Sequence, residues 1–338
     1  MIGRPLGIYS AESLSEEEQA ILKDISNRLD SDGFYENNFS LATRYGQILE
    51  CHIAYRRLCV EQQGGDDVCW YSEAINKATA DSLPLEAELR SAMDDCQLVP
   101  YYQPKVALDT GTITGFEALV RWQHPTRGLL KPMDFIEAII EYKLSFRLFY
   151  QMAVKIAQQL SIWQALGFTQ HICINAEATE FNYPEFFDVV SNLFKEHNIR
   201  PQQLHVEVTE SSLMRRHANV KHQLTMLKEM GIRLALDDFG TGYASLSYLQ
   251  EYPFDFIKID RSFISKIATD RTQYAIVKAI LDLADALDME VVAEGIETEQ
   301  QRDLLLQMGC AYGQGYWFGR PVNAEDATEM LTRQHASK

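Results

Sequence analysis

The 338-residue sequence has no apolar run near the roughly 20 residues needed to span a bilayer. Met1–Ser10 lacks a charged stretch followed by an apolar one, so no secretory signal is expected either. Cysteine is sparse: Cys51, Cys59, Cys69, Cys96, Cys173 and Cys310 lie far apart and form no C-x-x-C pair. That excludes the disulfide framework of a small secreted domain and fits reduced thiols in a cytoplasm. Positive charge is in short supply, with 31 Lys and Arg against 48 Asp and Glu, a formal net charge of −17. Such a surface repels a phosphate backbone, so duplex nucleic acid is not an expected partner. A small phosphate-bearing substrate remains compatible where metal ions neutralise the site locally.

The length suits one (β/α)8 barrel of about 250 residues plus a smaller module. Up to residue 84 the signals are mainly helical. Ser15-Glu16-Glu17-Glu18 has the spacing of a capping box before Ile21, Leu22, Ile25 and Leu29. Leu41, Tyr45, Ile48, Leu49 and Ile53 predict a second amphipathic helix. Gln62–Asp67 is a polar break, and a third helix is expected over Leu85–Cys96. Beyond Val99 short apolar strands alternate with helical stretches. Strands are predicted at 100–107, 113–122, 171–176, 204–210, 232–238, 254–260, 290–295 and 312–316. Asp109-Thr110-Gly111-Thr112 is too short for a parallel crossover, so the first strand runs antiparallel to the second. The remainder is repeated β-α units. The expected fold is α/β: a modified TIM barrel over 85–334 with an antiparallel first strand, preceded by a small, mainly helical module over 1–84.

In such barrels chemistry gathers at the carboxyl ends of the strands. Glu117, with Leu119 and Arg121 on the same face, stands on the second strand. Asn175 ends the third, Glu207-Val208-Thr209-Glu210 the fourth, Asp237-Asp238 the fifth, Lys258-Ile259-Asp260 the sixth and Glu294 the seventh, while Gln314 sits between two glycines on the eighth. Any one of these is equally an ordinary loop acid, helix cap or turn residue. Five carboxylates converging on one rim are not, because they repel one another and are costly to desolvate. Divalent cations relieve that cost. Oxygen ligands without His or Cys suit Mg²⁺ or Mn²⁺ better than Zn²⁺. Adjacent aspartates allow two bridged metals, an arrangement that cuts phosphodiesters.

Glu117-Ala118-Leu119-Val120-Arg121-Trp122 resembles the signature of the EAL-domain phosphodiesterases, bacterial enzymes that linearise cyclic di-GMP to 5′-pGpG. Tyr102-Gln103-Pro104 precedes it. Asn175, Glu207–Glu210, Asp237–Gly242, Lys258–Asp260, Ala293–Glu297 and Gln314–Tyr316 follow in family order. The resemblance covers about residues 85 to 325. It implies an enzyme of bacterial second-messenger signalling, using two-metal activation of water; the cytoplasmic location expected for it follows from the absent targeting signal and the cysteine usage. Glu117, Asn175, Glu207 and Asp237 would hold one metal, and Asp237 and Asp238, helped by Glu294, the second. Lys258 would orient water or steady phosphoryl charge. Glu294 would transfer protons, and Gln314 would support the water and metal shell. Gln103, Leu119 and Arg121 would hold substrate. Glu210 would anchor the Asp237–Gly242 loop, which in the family also contributes a dimer contact. The N-terminal module is open to binding a regulatory protein. The alternative on the same barrel is an inactive cyclic di-GMP receptor or a protein-interaction adaptor.

Two departures stand out. Ile139-Ile140 occupies the usual Ala-Glu, and the following stretch reaches Lys143-Leu144 without the usual glycine. Asn-x-Ser at the third strand is here Asn175-Ala176-Glu177. Tyr142, Phe146, Phe149 and Tyr150 have helical spacing, which favours core over a partner surface.

Overall fold

The computed structural model describes residues 34–42, 48–56, 85–177, 179–213, 219–241 and 246–336. The chain divides into two compact units, Met1–Glu88 and Leu89–Lys338. In the first, β1 (Phe34–Ala42) and β2 (Ile48–Arg56) pair antiparallel, from Phe34 opposite Arg56 to Ala42 opposite Ile48. The helix expected around Leu41–Ile53 is therefore not formed. Leu49, Cys51, Ile53 and Tyr55 alternate with Glu50, His52 and Ala54, so a period of two fits the same residues. Asn37-Asn38 is also poor helix sequence. The expected helix at residues 14–29 and the Gln62–Asp67 break lie outside the described residues.

Helix α1 (85–94) runs across the boundary between the units, and its Leu89, Ala92 and Met93, in the second, are buried at helical spacing. It ends where Cys96 turns to φ +55° and Gln97 N donates to Ala92 O at 2.8 Å. Eight strands then close a barrel: β3 (Leu98–Ala107), β4 (Ile113–His124), β6 (His171–Ala176), β7 (Leu204–Thr209), β8 (Arg233–Phe239), β9 (Phe256–Ile259), β10 (Glu290–Ala293) and β11 (Tyr312–Gln314). β3 is antiparallel to both β4 and β11, and every other barrel pairing is parallel. The seven parallel strands thus bring their carboxyl ends to one rim. A short β5 (Gly128–Leu130), not anticipated from sequence, folds back on β4.

Outside the barrel, α2 (Ile136–Glu141) and α3 (Ser145–Ala165) follow β5, and α4 (Phe186–His197) follows β6. Leu148, Phe149, Met152, Ile156, Leu160 and Trp163 of α3 form its buried stripe. Trp163 packs against Phe116 and Tyr102 at 5.1 and 5.7 Å between ring centres. Of the aromatics singled out in this region, Phe149 is core, Phe146 stacks on Tyr183 at 4.3 Å and Tyr150 is exposed. Short α5 (Glu210–Leu213), then α6 (Val220–Met230), α7 (Leu246–Glu251), α8 (Arg261–Ile264), α9 (Arg271–Ala286), α10 (Glu299–Gln307) and α11 (Ala324–Ala336) complete the described helices. None is long and apolar enough to cross a membrane.

Low in the barrel interior, the rings of His171 and His205 stack at 3.8 Å, nearly parallel. Gly115 makes room for them, since a Cβ there would lie 2.4 Å from His171 Nε2. Cys173 completes a possible ligand trio, but parallel rings aim their lone pairs along separate planes, so they do not converge on one ion. Burial, then Lys105, holds the His171 pKa well below its ordinary value. The unfolded chain therefore binds a proton below pH ~6.5 that the folded chain refuses, and stability falls as pH drops through that value. We expect this histidine to contribute a slope of at most ~1.4 kcal/mol per pH unit below 6.5. Melting curves between pH 7.5 and 5.5 check this, and His171→Gln should flatten the acid slope.

The missing glycine noted in sequence also has a structural expression. Lys143 sits at φ +56°, a left-handed position where a Cβ is strained. Lys143→Gly is expected to raise stability by ~0.5–1 kcal/mol, read from denaturant midpoints.

Candidate active site

Lys258 lies near the centre of the barrel mouth, 1% exposed. Its Nζ is 2.6 Å from Glu207 Oε2, 2.8 Å from Glu294 Oε1, 3.1 Å from Asp237 Oδ2 and 3.6 Å from Glu117 Oε2. Each acid comes from a different strand or strand end, so the barrel closure brings them together. Glu117 Oε1 accepts from Asn175 Nδ2 at 2.9 Å, and its Oε2 accepts from Gln314 Nε2 at 2.7 Å. Gln314 Nε2 also donates to Gln103 Oε1 at 3.1 Å, and Gln103 Nε2 to Gly319 O at 3.2 Å.

The charges do not balance. Five carboxyls, with Asp238 as the fifth, face one ammonium. Burial, then Glu117 and Asp237, outweighs Lys258 and pushes Glu207 up to about 7. Asp238 is pushed up to about 6 by burial and Asp237, and burial holds Glu294 well above the usual carboxylate range. Burial would raise Glu117 too, but Lys258 and the hydrogen bonds from Asn175 and Gln314 win and hold it low. Burial would lower Lys258, yet its surrounding carboxylates hold it well above its ordinary value. These acids share too little positive charge, which is the condition a cation site creates.

Ligand atoms of Glu117, Glu207 and Asp237 lie within 4.8 Å of one another, as do those of Asp237, Asp238 and Glu294. Asp237 belongs to both groups. Each group offers the oxygen-only ligands that suit a hard divalent cation. Asp238 holds its position at φ +55°, where Thr241 N donates to its carbonyl at 3.2 Å. Glu210 Oε2 accepts from Gly240 N at 3.0 Å, tying this turn to β7.

The sequence profile of the EAL domain matches residues 86–321. The chain belongs to the EAL domain family. The bifunctional diguanylate cyclase/cyclic di-GMP phosphodiesterase MucR of Pseudomonas aeruginosa is 38% identical over 266 residues, 78% of this chain and 39% of that protein. The cyclic di-GMP phosphodiesterase RocR of the same organism is 37% identical over 241 residues, 71% of this chain and 61% of that protein. The chain thus spans well under half the length of MucR. A solved structure of a PaMucR phosphodiesterase in complex with c-di-GMP is similar with a TM-score of 0.69 at 39% identity, covering 72% of this chain and 99% of that one.

The EAL barrel gathers Glu117, Asn175, Glu207, Asp237, Asp238, Lys258, Glu294 and Gln314 at one mouth. Gln103, Leu119, Glu117, Glu294 and Gln314 line a cleft there of about 240 Å³. Arg121 stands on the same face of β4 as Glu117 and Leu119: its guanidinium lies 5.8 Å from the Tyr101 ring, and Nη1 donates to Val120 O at 2.8 Å. Arg261 and Tyr316 also line the cleft and escaped the sequence reading. Tyr316 lay inside a quoted motif without a role, and Arg261 begins α8 just past one, so only the fold shows what they face. Two rim turns are joined here. Ile296 N donates to Gln314 O at 3.1 Å, and Trp317 N donates to Ile296 O at 3.0 Å. A Cβ on Gly315 would lie 2.1 Å from Ile296 O, so the join requires glycine.

Removing the central ammonium leaves the acids uncompensated. Lys258→Met is expected to cost the metal-free barrel about 3–5 kcal/mol, and added Mg²⁺ or Mn²⁺ to restore part of it. Thermal melts with EDTA and with metal check both halves.

Proposed function

We propose that this chain is a metal-dependent phosphodiesterase that hydrolyses cyclic di-GMP to linear 5′-pGpG in bacterial second-messenger signalling. The observation that carries it is the pair of oxygen-only ligand groups sharing Asp237, in a family whose relatives include proteins named as cyclic di-GMP phosphodiesterases. Mg²⁺ and Mn²⁺ are the cations such ligands favour.

Glu117, Asn175, Glu207 and Asp237 would hold one cation, and Asp237, Asp238 and Glu294 the other. When bound, the pair supplies Lewis acidity that makes water a nucleophile near neutral pH and draws charge from the phosphate. Glu294, its carboxyl group set 2.8 Å from Lys258, accepts a proton from the water whose oxygen bonds to phosphorus, while one P–O3′ bond breaks and the freed 3′-oxygen is protonated to a hydroxyl. Lys258 keeps its charge within the ring of acids and steadies the negative charge that grows on the phosphoryl oxygens. Gln314 fixes Glu117 and Gln103 at once, holding a ligand and a substrate contact in register. Leu119 and Gln103 line the cleft against the substrate, and Arg121 meets a phosphate oxygen. Glu210 keeps the Asp238 turn in place through Gly240.

We also assign residues 1–84 a regulatory role, with a protein partner, and the barrel a homodimer in the cytoplasm. The decisive measurement is a product assay with purified chain, cyclic di-GMP and Mg²⁺ or Mn²⁺. Conversion to pGpG should fall about 10²–10³-fold in Glu117→Ala. Tight binding without any turnover, in folded and metal-loaded protein, would instead make the chain a receptor.

A further inference from the structure

Beside the catalytic cleft is a second cavity of about 230 Å³. Leu119 lines both, and Asn175 borders the second. Ile136, Ile139 and Ile140 of α2 and Met152 of α3 give it aliphatic walls. Among the described lining residues, the charged ones are Glu177 and Glu180. The volume falls below the ~300 Å³ at which pockets begin to hold drug-sized ligands, so it admits one flat ring system rather than a whole dinucleotide.

Glu180 is 4% exposed, and its Oε2 accepts from Glu177 N at 3.2 Å. That bond fixes the backbone from which the Glu177 side chain departs. Burial, then the charge of Glu177, holds the Glu180 carboxyl well above the usual range. An apolar cavity with the Glu177 carboxylate on its lining suits a ring system whose edge presents donors. Guanine offers N1–H and N2–H side by side, and one carboxylate accepts both. Adenine presents a lone pair at N1, which a carboxylate repels. The position is also one where this sequence departs from the family's serine.

The geometry points to Glu177 as a specificity-determining residue that selects guanine over adenine for the base seated in this cavity, with Glu180 as its positioning residue. The inference rests on the proposed reading of the neighbouring cleft as a cyclic di-GMP site.

The test is calorimetric binding of cyclic di-GMP and cyclic di-AMP to the full chain, with EDTA and with Mn²⁺, alongside steady-state hydrolysis. Glu177→Ser should weaken cyclic di-GMP roughly 10–100-fold, raise KM rather than lower kcat, and leave cyclic di-AMP within about twofold. Glu177→Gln keeps the shape and should weaken cyclic di-GMP in the same direction, which guards against a folding defect in the serine variant. Equal weakening of both nucleotides, or no change in either variant, overturns the assignment. Selective binding without hydrolysis defeats only the proposed activity. Hydrolysis indifferent to Glu177 defeats only the assignment made here.

Discussion

The ion cluster between Lys258 and the carboxylates of Glu207, Asp237 and Glu294 lies inside a barrel that gives water little access, so neither sign could be held there without the other. One ammonium is still too little for five carboxyls. The mismatch explains why Glu207 and Glu294 retain protons more readily than free carboxyls, while Glu117, with two amide donors and Lys258, does not. The barrel's covalent continuity and packing hold this unfavourable charge density in place. The aromatic packing of Trp163 against Phe116 and Tyr102 belongs to the same account, because it seats β3 and β4, which carry Gln103 and Glu117.

The barrel and its acids were legible because two simple periodicities agree. Parallel strands buried on both faces read as short apolar runs, and their polar ends mark one rim. Glu117, Glu207, Asp237, Lys258 and Glu294 could be placed at one mouth from strand order alone. The N-terminal hairpin was not legible, because Leu49 and Ile53 satisfy a helical period while Cys51 and Tyr55 extend a strand period through the same segment. β5 was hidden by its length of three residues. Arg261 and Tyr316 carry no local signal of what they face. Arg121 keeps the face that period two gives it: its guanidinium lies over Tyr101, which pairs with Leu119 on the side of Glu117.

Polarity extends below the acids as well. Lys105 Nζ donates to Cys173 Sγ at 3.6 Å and lies 4.9 Å over the Phe256 ring, and beneath it the histidine rings stack. A barrel core is more often filled by branched aliphatics. Here their place is partly taken by groups that must find partners within the barrel, so substitutions in this layer act on the rim through shared contacts. Cys173 is opposite Glu117 in one strand pairing and His205 in the next.

The seam between the Ile296 and Gly315 turns has a consequence for control. With Gly315 closed to any side chain and two backbone hydrogen bonds across it, Glu294 and Gln314 share one rigid segment of rim. A signal arriving from outside the barrel cannot loosen the proton acceptor while leaving the amide that steadies Glu117 untouched. A displacement of that segment would therefore carry both groups together as a block. The Asp238 turn is tied elsewhere, through the Glu210 hydrogen bond to Gly240 N, so it can move without that block.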